Sequence, residues 1–103
     1  MKKPEEKIIV HVDPDLRSLI PGYLENRQRD IESIKKALTA SNFAKIRTLG
    51  HSMRGSGGGY GFMPISIIGE GFEKAAKAKN PDQVLGQLAE LSDFLQRVTL
   101  VYD

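Results

Sequence analysis

Apolar residues fall at Leu16, Ile20, Leu24, Ile31, Ile34 and Leu38 in steps of three and four, with Arg27 filling the one gap. That rhythm draws one face of a helix at 3.6 residues per turn. Asp13-Pro14 ahead of it is a start signal: Asp caps, and Pro is tolerated in the first turn. Pro21-Gly22 interrupts the stripe, which predicts a kink there, or a short helix followed by a long one. Thr39-Ala40-Ser41-Asn42 is the break. Ser41 or Asn42 caps a second helix with its stripe at Ile46, Leu49 and Met53. Pro64 opens a third helix, carrying Ile65, Ile68, Phe72 and Ala75, with Lys74, Lys77 and Lys79 near its end, where positive charge suits the helix dipole. Asn80-Pro81-Asp82-Gln83 reads as a cap, a first-position proline and a capping-box Gln. The last stripe is Val84, Leu88, Leu91, Leu95, Val98 and Tyr102, so the fourth helix is expected to run to Tyr102.

Four amphipathic helices with short breaks predict an all-α fold, an antiparallel four-helix bundle over residues 13–103. Residues 1–12 are left as an N-terminal extension. Within it, residues 1–7 read as a solvated tail. Ile8–Val12 has the β-branched content of a short strand but no obvious partner strand, so an extended segment lying against the helices fits as well.

Composition narrows the function classes. A chain of 103 residues fits one domain, with little room for both a nucleotide pocket and a substrate pocket. There are 15 Lys and Arg against 13 Asp and Glu, a net charge of +2, too weak to argue for nucleic acid. No basic stripe with interleaved aromatics adds to it. The absence of cysteine excludes disulfides, cysteine-bound zinc and thiol catalysis. No apolar run approaches the roughly 18 residues of a membrane span, and no signal core is visible, so a cytoplasmic protein is expected, with no membrane or nucleic-acid partner.

The informative segment is Leu49–Phe62, LGHSMRGSGGGYGF. Continued as a helix with His51 at 0°, it places Leu49, Tyr60, Met53 and Ile46 at about 160°, 180°, 200° and 220°. Arg47, Arg54, Gly58 and Gly55 fall on the histidine's side, at about −40°, −60°, −20° and +40°. His51 then points to solvent, opposite the core stripe, between two arginines and above two glycines. Each glycine inside a helix costs roughly 1 kcal/mol against alanine. Five of them between positions 55 and 61 imply that something requires bare backbone there, such as the close approach of another protein. By propensity alone the run is a flexible loop; the register of Tyr60 with the core stripe favours a helix.

His51-Ser52-Met53-Arg54-Gly55-Ser56, followed by Tyr60-Gly61-Phe62, resembles the signature of histidine-containing phosphotransfer (HPt) domains. That signature is His, any residue, Leu or Met, Lys or Arg, Gly, a small residue, further small residues, then an apolar residue and Gly. The resemblance extends to the order and length of the four helices, from about Asp13 to Tyr102. Arg54 stands where Lys is commoner, and Gly57-Gly58-Gly59 is richer in glycine than usual. The resemblance implies an antiparallel four-helix bundle that relays phosphoryl groups between the aspartates of response-regulator receiver domains, fed by a hybrid sensor histidine kinase. It implies that His51 is phosphorylated, that Arg54 stands near the phosphoryl group, and that Gly55 gives clearance to the receiver. Arg47 and Gly58 join them as candidate phosphoryl or partner contacts. No cofactor is expected on this chain, Mg²⁺ being held by the receiver, and no autokinase activity. The alternative is a helical interaction module in a signalling complex that keeps the bundle without the chemistry.

Other residues carry plainer expectations. Ser56 is read as small for packing, or as bonding back to its helix. His11 is given no role, and Glu70 and Glu73 are read as surface charges. Two histidines far apart do not make a metal site. The glycine run lacks the Lys-Ser/Thr of a phosphate-binding loop and the preceding strand of a dinucleotide fingerprint.

Overall fold

A computed structural model describes residues 6–103. The expectation of a solvated tail lies, for residues 1–5, outside the described residues. The chain runs through β1 (Ile8–Val12), a 3-10 turn (Pro14–Leu16), α1 (Ile20–Thr39), α2 (Phe43–Gly57), a second 3-10 turn (Gly58–Tyr60), α3 (Met63–Lys77), α4 (Pro81–Arg97) and β2 (Val98–Tyr102). It is a helical bundle, as the periodicity predicts, with a small two-stranded sheet attached.

The helix starts follow the local chemistry. Asp13 Oδ1 accepts from Asp15 N–H at 2.9 Å, opening the first turn. Pro21 lies in the first turn of α1, where its missing N–H removes no intrahelical bond. It therefore marks the start of a long helix after a short one, and no mid-helix kink forms. Asn42 caps α2 by accepting from Lys45 N–H at 3.1 Å, and Asn80 caps α4 by accepting from Gln83 N–H at 3.2 Å. Helix ends close in a common way. Asn42 N–H bonds Ala37 C=O at 2.7 Å, Phe62 N–H bonds Gly57 C=O at 2.7 Å, and Asn80 N–H bonds Ala75 C=O at 3.0 Å. The residue before each donor is left-handed: Ser41, Gly61 (φ 91°) and Lys79 (φ 50°).

The core takes one stripe from every helix. Ile20, Ile34, Ile46, Met53, Phe62, Ile65, Phe72, Val84 and Leu91 are fully buried. The closest packing joins α2 to α3. A β-carbon on Gly50 would come within 2.8 Å of Gly69 O, and one on Gly69 within 2.5 Å of Arg54 N. The two backbones touch at a separation no larger residue permits.

Two expectations are corrected at the chain's ends. The fourth helix stops at Arg97, and Val98–Tyr102 is a strand. It pairs in parallel with Ile8–Val12, from Ile8 opposite Val98 to Val12 opposite Tyr102. The strand without an obvious partner thus finds one at the other end of the sequence. Val10 and Val12 are buried, and Ile8, Val98, Leu100 and Tyr102 pack against the core from the same side. Ile9 and Val101 face outward. At the junction, the largely covered Arg97 side chain bonds Asp93 Oδ2 (2.8 Å) on α4 and Glu6 C=O (2.7 Å) ahead of β1. Among the described residues no helix is long and apolar enough to cross a membrane.

Candidate functional site

The α2 helix holds through Gly57, then tightens into the 3-10 turn that ends at the left-handed Gly61. The glycine run is therefore ordered helix and turn. Tyr60 stays on the core side despite the tighter turn. Its ring stacks on Tyr23 of α1 at 4.3 Å between centroids, and the Arg27 guanidinium lies over the Tyr23 ring, 4.3 Å from its centroid. The buried Tyr23 hydroxyl is 2.9 Å from Ser56 Oγ, so Ser56 ties α2 to α1 and does not bond back into its own helix.

His51 stands on the outer face of α2 with its side chain 76% exposed. The ring is nevertheless held. Its Nδ1 lies 3.2 Å from Oε2 of Glu73 on α3, and Arg54 Nη1 lies 3.4 Å from Oε1 of the same carboxylate. Glu73 is no ordinary surface charge, as the sequence reading had it: its side chain is only 17% exposed. Burial pushes its carboxyl upward, but the hydrogen bonds and charges of His51 and Arg54 outweigh that and hold it below its ordinary value of 4.5. At neutral pH it is a carboxylate that only accepts, so the tautomer that satisfies it carries its proton on His51 Nδ1 and turns the Nε2 lone pair away from Glu73. Glu70 meets the reading as a surface charge, pairing with Lys74 at 3.3 Å on its own helix.

The glycines divide by role. Gly50, next to His51, is buried: a β-carbon there would meet Gly69 O at 2.8 Å and Glu73 N at 3.0 Å. Its bareness lets α3 come close enough for Glu73 to reach the imidazole. Gly55 is exposed and a β-carbon on it would meet nothing within 4 Å; on Gly58 it would make only ordinary contact with Met63 Cε at 3.6 Å and Ser66 Oγ at 3.7 Å. No neighbour among the described residues requires glycine at either position. On the other side of the histidine, Arg47 joins Ala44, Thr48, His51 and Glu73 in lining an open groove of about 450 Å³. The structure thus gathers His51, Arg54 and Arg47 around Glu73, while Gly55 lies exposed farther along α2 and Gly58 opens the 3-10 turn against Met63 and Ser66 of α3.

His11 sits on β1, and a β-carbon on Gly61, at the end of the 3-10 turn, would lie 3.7 Å from its carbonyl oxygen. Its Nδ1 is 2.9 Å from Asp103 Oδ2, both side chains being exposed. No group of three or more metal-ligating side chains occurs among the described residues.

No protein-family model matches this chain, and no curated protein or solved structure matches it.

Proposed function

We propose that this chain is a phosphoryl carrier of the histidine phosphotransfer kind, with His51 as the residue that receives and gives up the phosphoryl group. The observation that carries the reading is the His51–Glu73 pair. A solvent-facing imidazole has its Nδ1–H engaged by a largely buried carboxylate, which aims Nε2 outward as the nucleophile.

The Nε2 lone pair attacks the phosphorus of an aspartyl phosphate, the N–P bond forms, and the acyl O–P bond breaks with its electron pair leaving on the aspartate. The ring keeps its Nδ1 proton and gains positive charge, which Glu73 faces at hydrogen-bond distance. Arg54 offers its guanidinium to the phosphoryl oxygens, and Arg47 adds positive charge on the other side. The return step, to a second aspartate, is the reverse. Mg²⁺ belongs to the receiver, whose carboxylates hold it during transfer. The bare surface at Gly55 gives the receiver backbone-level access to the imidazole. Partners of this kind, receiver domains and a hybrid sensor kinase, go with a cytoplasmic location.

The test mixes the domain with phosphorylated receiver domains and Mg²⁺ and compares wild type with His51→Gln. Acid-labile, base-stable label on wild type and none on the variant is the expected result. A folded wild type that takes no label from any receiver leaves the helical interaction module as the better reading.

A further inference from the structure

Ser66 stands in the first turn of α3 and reaches into α2. Its Oγ donates to the Arg54 carbonyl at 2.8 Å and accepts from Gly58 N–H at 2.8 Å. In an unbroken α-helix those two α2 groups bond each other, since each N–H bonds the carbonyl four residues earlier. The hydroxyl has been inserted into that rung of the ladder, a recognised cause of a local break. The break is where it should be: α2 ends at Gly57 and the 3-10 turn begins at Gly58. Gly57 makes the room, because a β-carbon there would sit 2.6 Å from Ser66 N and 2.7 Å from its Oγ. Farther along α3, Glu73 holds the other end of Arg54 through the guanidinium. Arg54 is thus gripped from α3 twice, at its carbonyl by Ser66 and at its side chain by Glu73.

We propose that Ser66 is a positioning residue: its hydroxyl, wedged between the Arg54 carbonyl and the Gly58 amide, sets where the Arg54 guanidinium stands beside His51. The consequence for phosphoryl transfer rests on the carrier reading above; the hold on Arg54 does not. Without the hydroxyl, the Arg54 carbonyl and the Gly58 amide pair directly and the end of α2 shifts away from α3. Ser66 acts through Arg54, so its effect disappears when Arg54 has no side chain to place.

The experiment uses Ser66→Ala, Ser66→Thr, Arg54→Ala and the double variant Ser66→Ala/Arg54→Ala, each confirmed helical and cooperatively folded. Two readouts are taken. The first is the titration of the Glu73 side-chain carboxyl by carbon NMR. The second is the rate of His51 phosphorylation by phosphoramidate, a small donor whose P–N bond breaks as Nε2 attacks and ammonia leaves. Ser66→Ala is expected to move the Glu73 midpoint upward and slow phosphorylation about tenfold, within the range that small misplacements of a reacting group cause. Ser66→Thr restores both, and the double variant matches Arg54→Ala alone. An unmoved Glu73 midpoint in Ser66→Ala overturns the proposal, as does a loss of equal size in the Arg54→Ala background. Absence of label on the folded wild type overturns the carrier reading and the transfer role with it, while the titration still decides whether Ser66 places Arg54.

Discussion

Gly50 and Gly69 meet across α2 and α3 so closely that a β-carbon on Gly50 would lie 2.8 Å from the carbonyl oxygen of Gly69. This contact sets the depth at which the two helices lock, and Glu73 lies one turn beyond it, beside His51. The same glycine pair therefore serves packing and site geometry together. Gly50→Ala is expected to destabilise the fold by about 1–3 kcal/mol, as overpacked cores do, because the nearest atoms, the Gly69 carbonyl oxygen, the Phe72 β-carbon and the Glu73 amide nitrogen, are backbone or fixed to it and cannot swing aside. Urea unfolding measures that loss. In whatever fraction remains folded, the His51 ring signals should lose their dependence on Glu73.

His51 is expected to contribute far more to function than to stability. It is exposed and bonded only to Glu73 among the described residues. His51→Gln should leave the unfolding free energy within about 0.5 kcal/mol of wild type, the usual range for a surface substitution. Phosphoryl label should vanish. A variant that lost both label and stability would point to a structural role for the imidazole.

Glu73 links the site to pH. Its carboxyl is held below 4.5 in the fold, so the folded state binds fewer protons there than the unfolded chain. Its stabilising contribution is therefore complete above the ordinary carboxyl range and is lost as the pH falls through the lowered value. Glu73→Gln should flatten the acid limb of the stability profile. Asp30 works with the opposite sign: burial raises its carboxyl above 3.8 against the opposing influence of Arg27, so its contribution improves on acidification. Denaturant midpoints followed from neutral into acid for Glu73→Gln and Asp30→Asn separate the two. In the transfer assay, Glu73→Gln should cost about tenfold, the equivalent of about 1.4 kcal/mol of charge stabilisation at the ring.

Lys79 closes α3 in a left-handed conformation, φ 50°, that glycine adopts without steric cost. Lys79→Gly should stabilise the fold by about 0.5–1 kcal/mol, the left-handed penalty less the entropy of the added glycine. Thermal unfolding checks it. A loss of stability would mean that the lysine side chain makes a contact that outweighs its backbone strain.

Much of this was readable in the residues. The stripes located the core, the Asn42 and Asn80 caps act as their positions suggested, and the helical wheel put His51, Arg47 and Arg54 on one outer face. The misreading at the C-terminus has a simple origin. Val98 and Tyr102 are four apart, and a spacing of four keeps two residues on one side of a helix and on one side of a strand. Thr99, Leu100 and Val101 between them carried the β signal, the same one that marked Ile8–Val12. The partner pairing itself was invisible, since nothing local joins the two ends. Glu73 was missed for a related reason. It lies on the next helix, and only the Gly50–Gly69 contact brings it to His51. Two glycines at the centres of adjacent helices were the available clue to that close approach. Ser66 gave no signal beyond being a serine in an apolar stretch.

The parallel strands have a consequence for how the molecule folds and opens. Pairing Ile8 with Val98 requires nearly the whole chain to be in place, and its loop-closure entropy must be met before any rung rewards it. The α2–α3 hairpin, by contrast, closes over a few residues and holds His51, Arg54, Ser66 and Glu73 entirely within itself. Contacts this local form early, and long-range pairings of this kind form late. The strands should therefore be the last to zip and the first to exchange their amides, while the His51 face stays assembled on a hairpin that does not depend on them for its geometry.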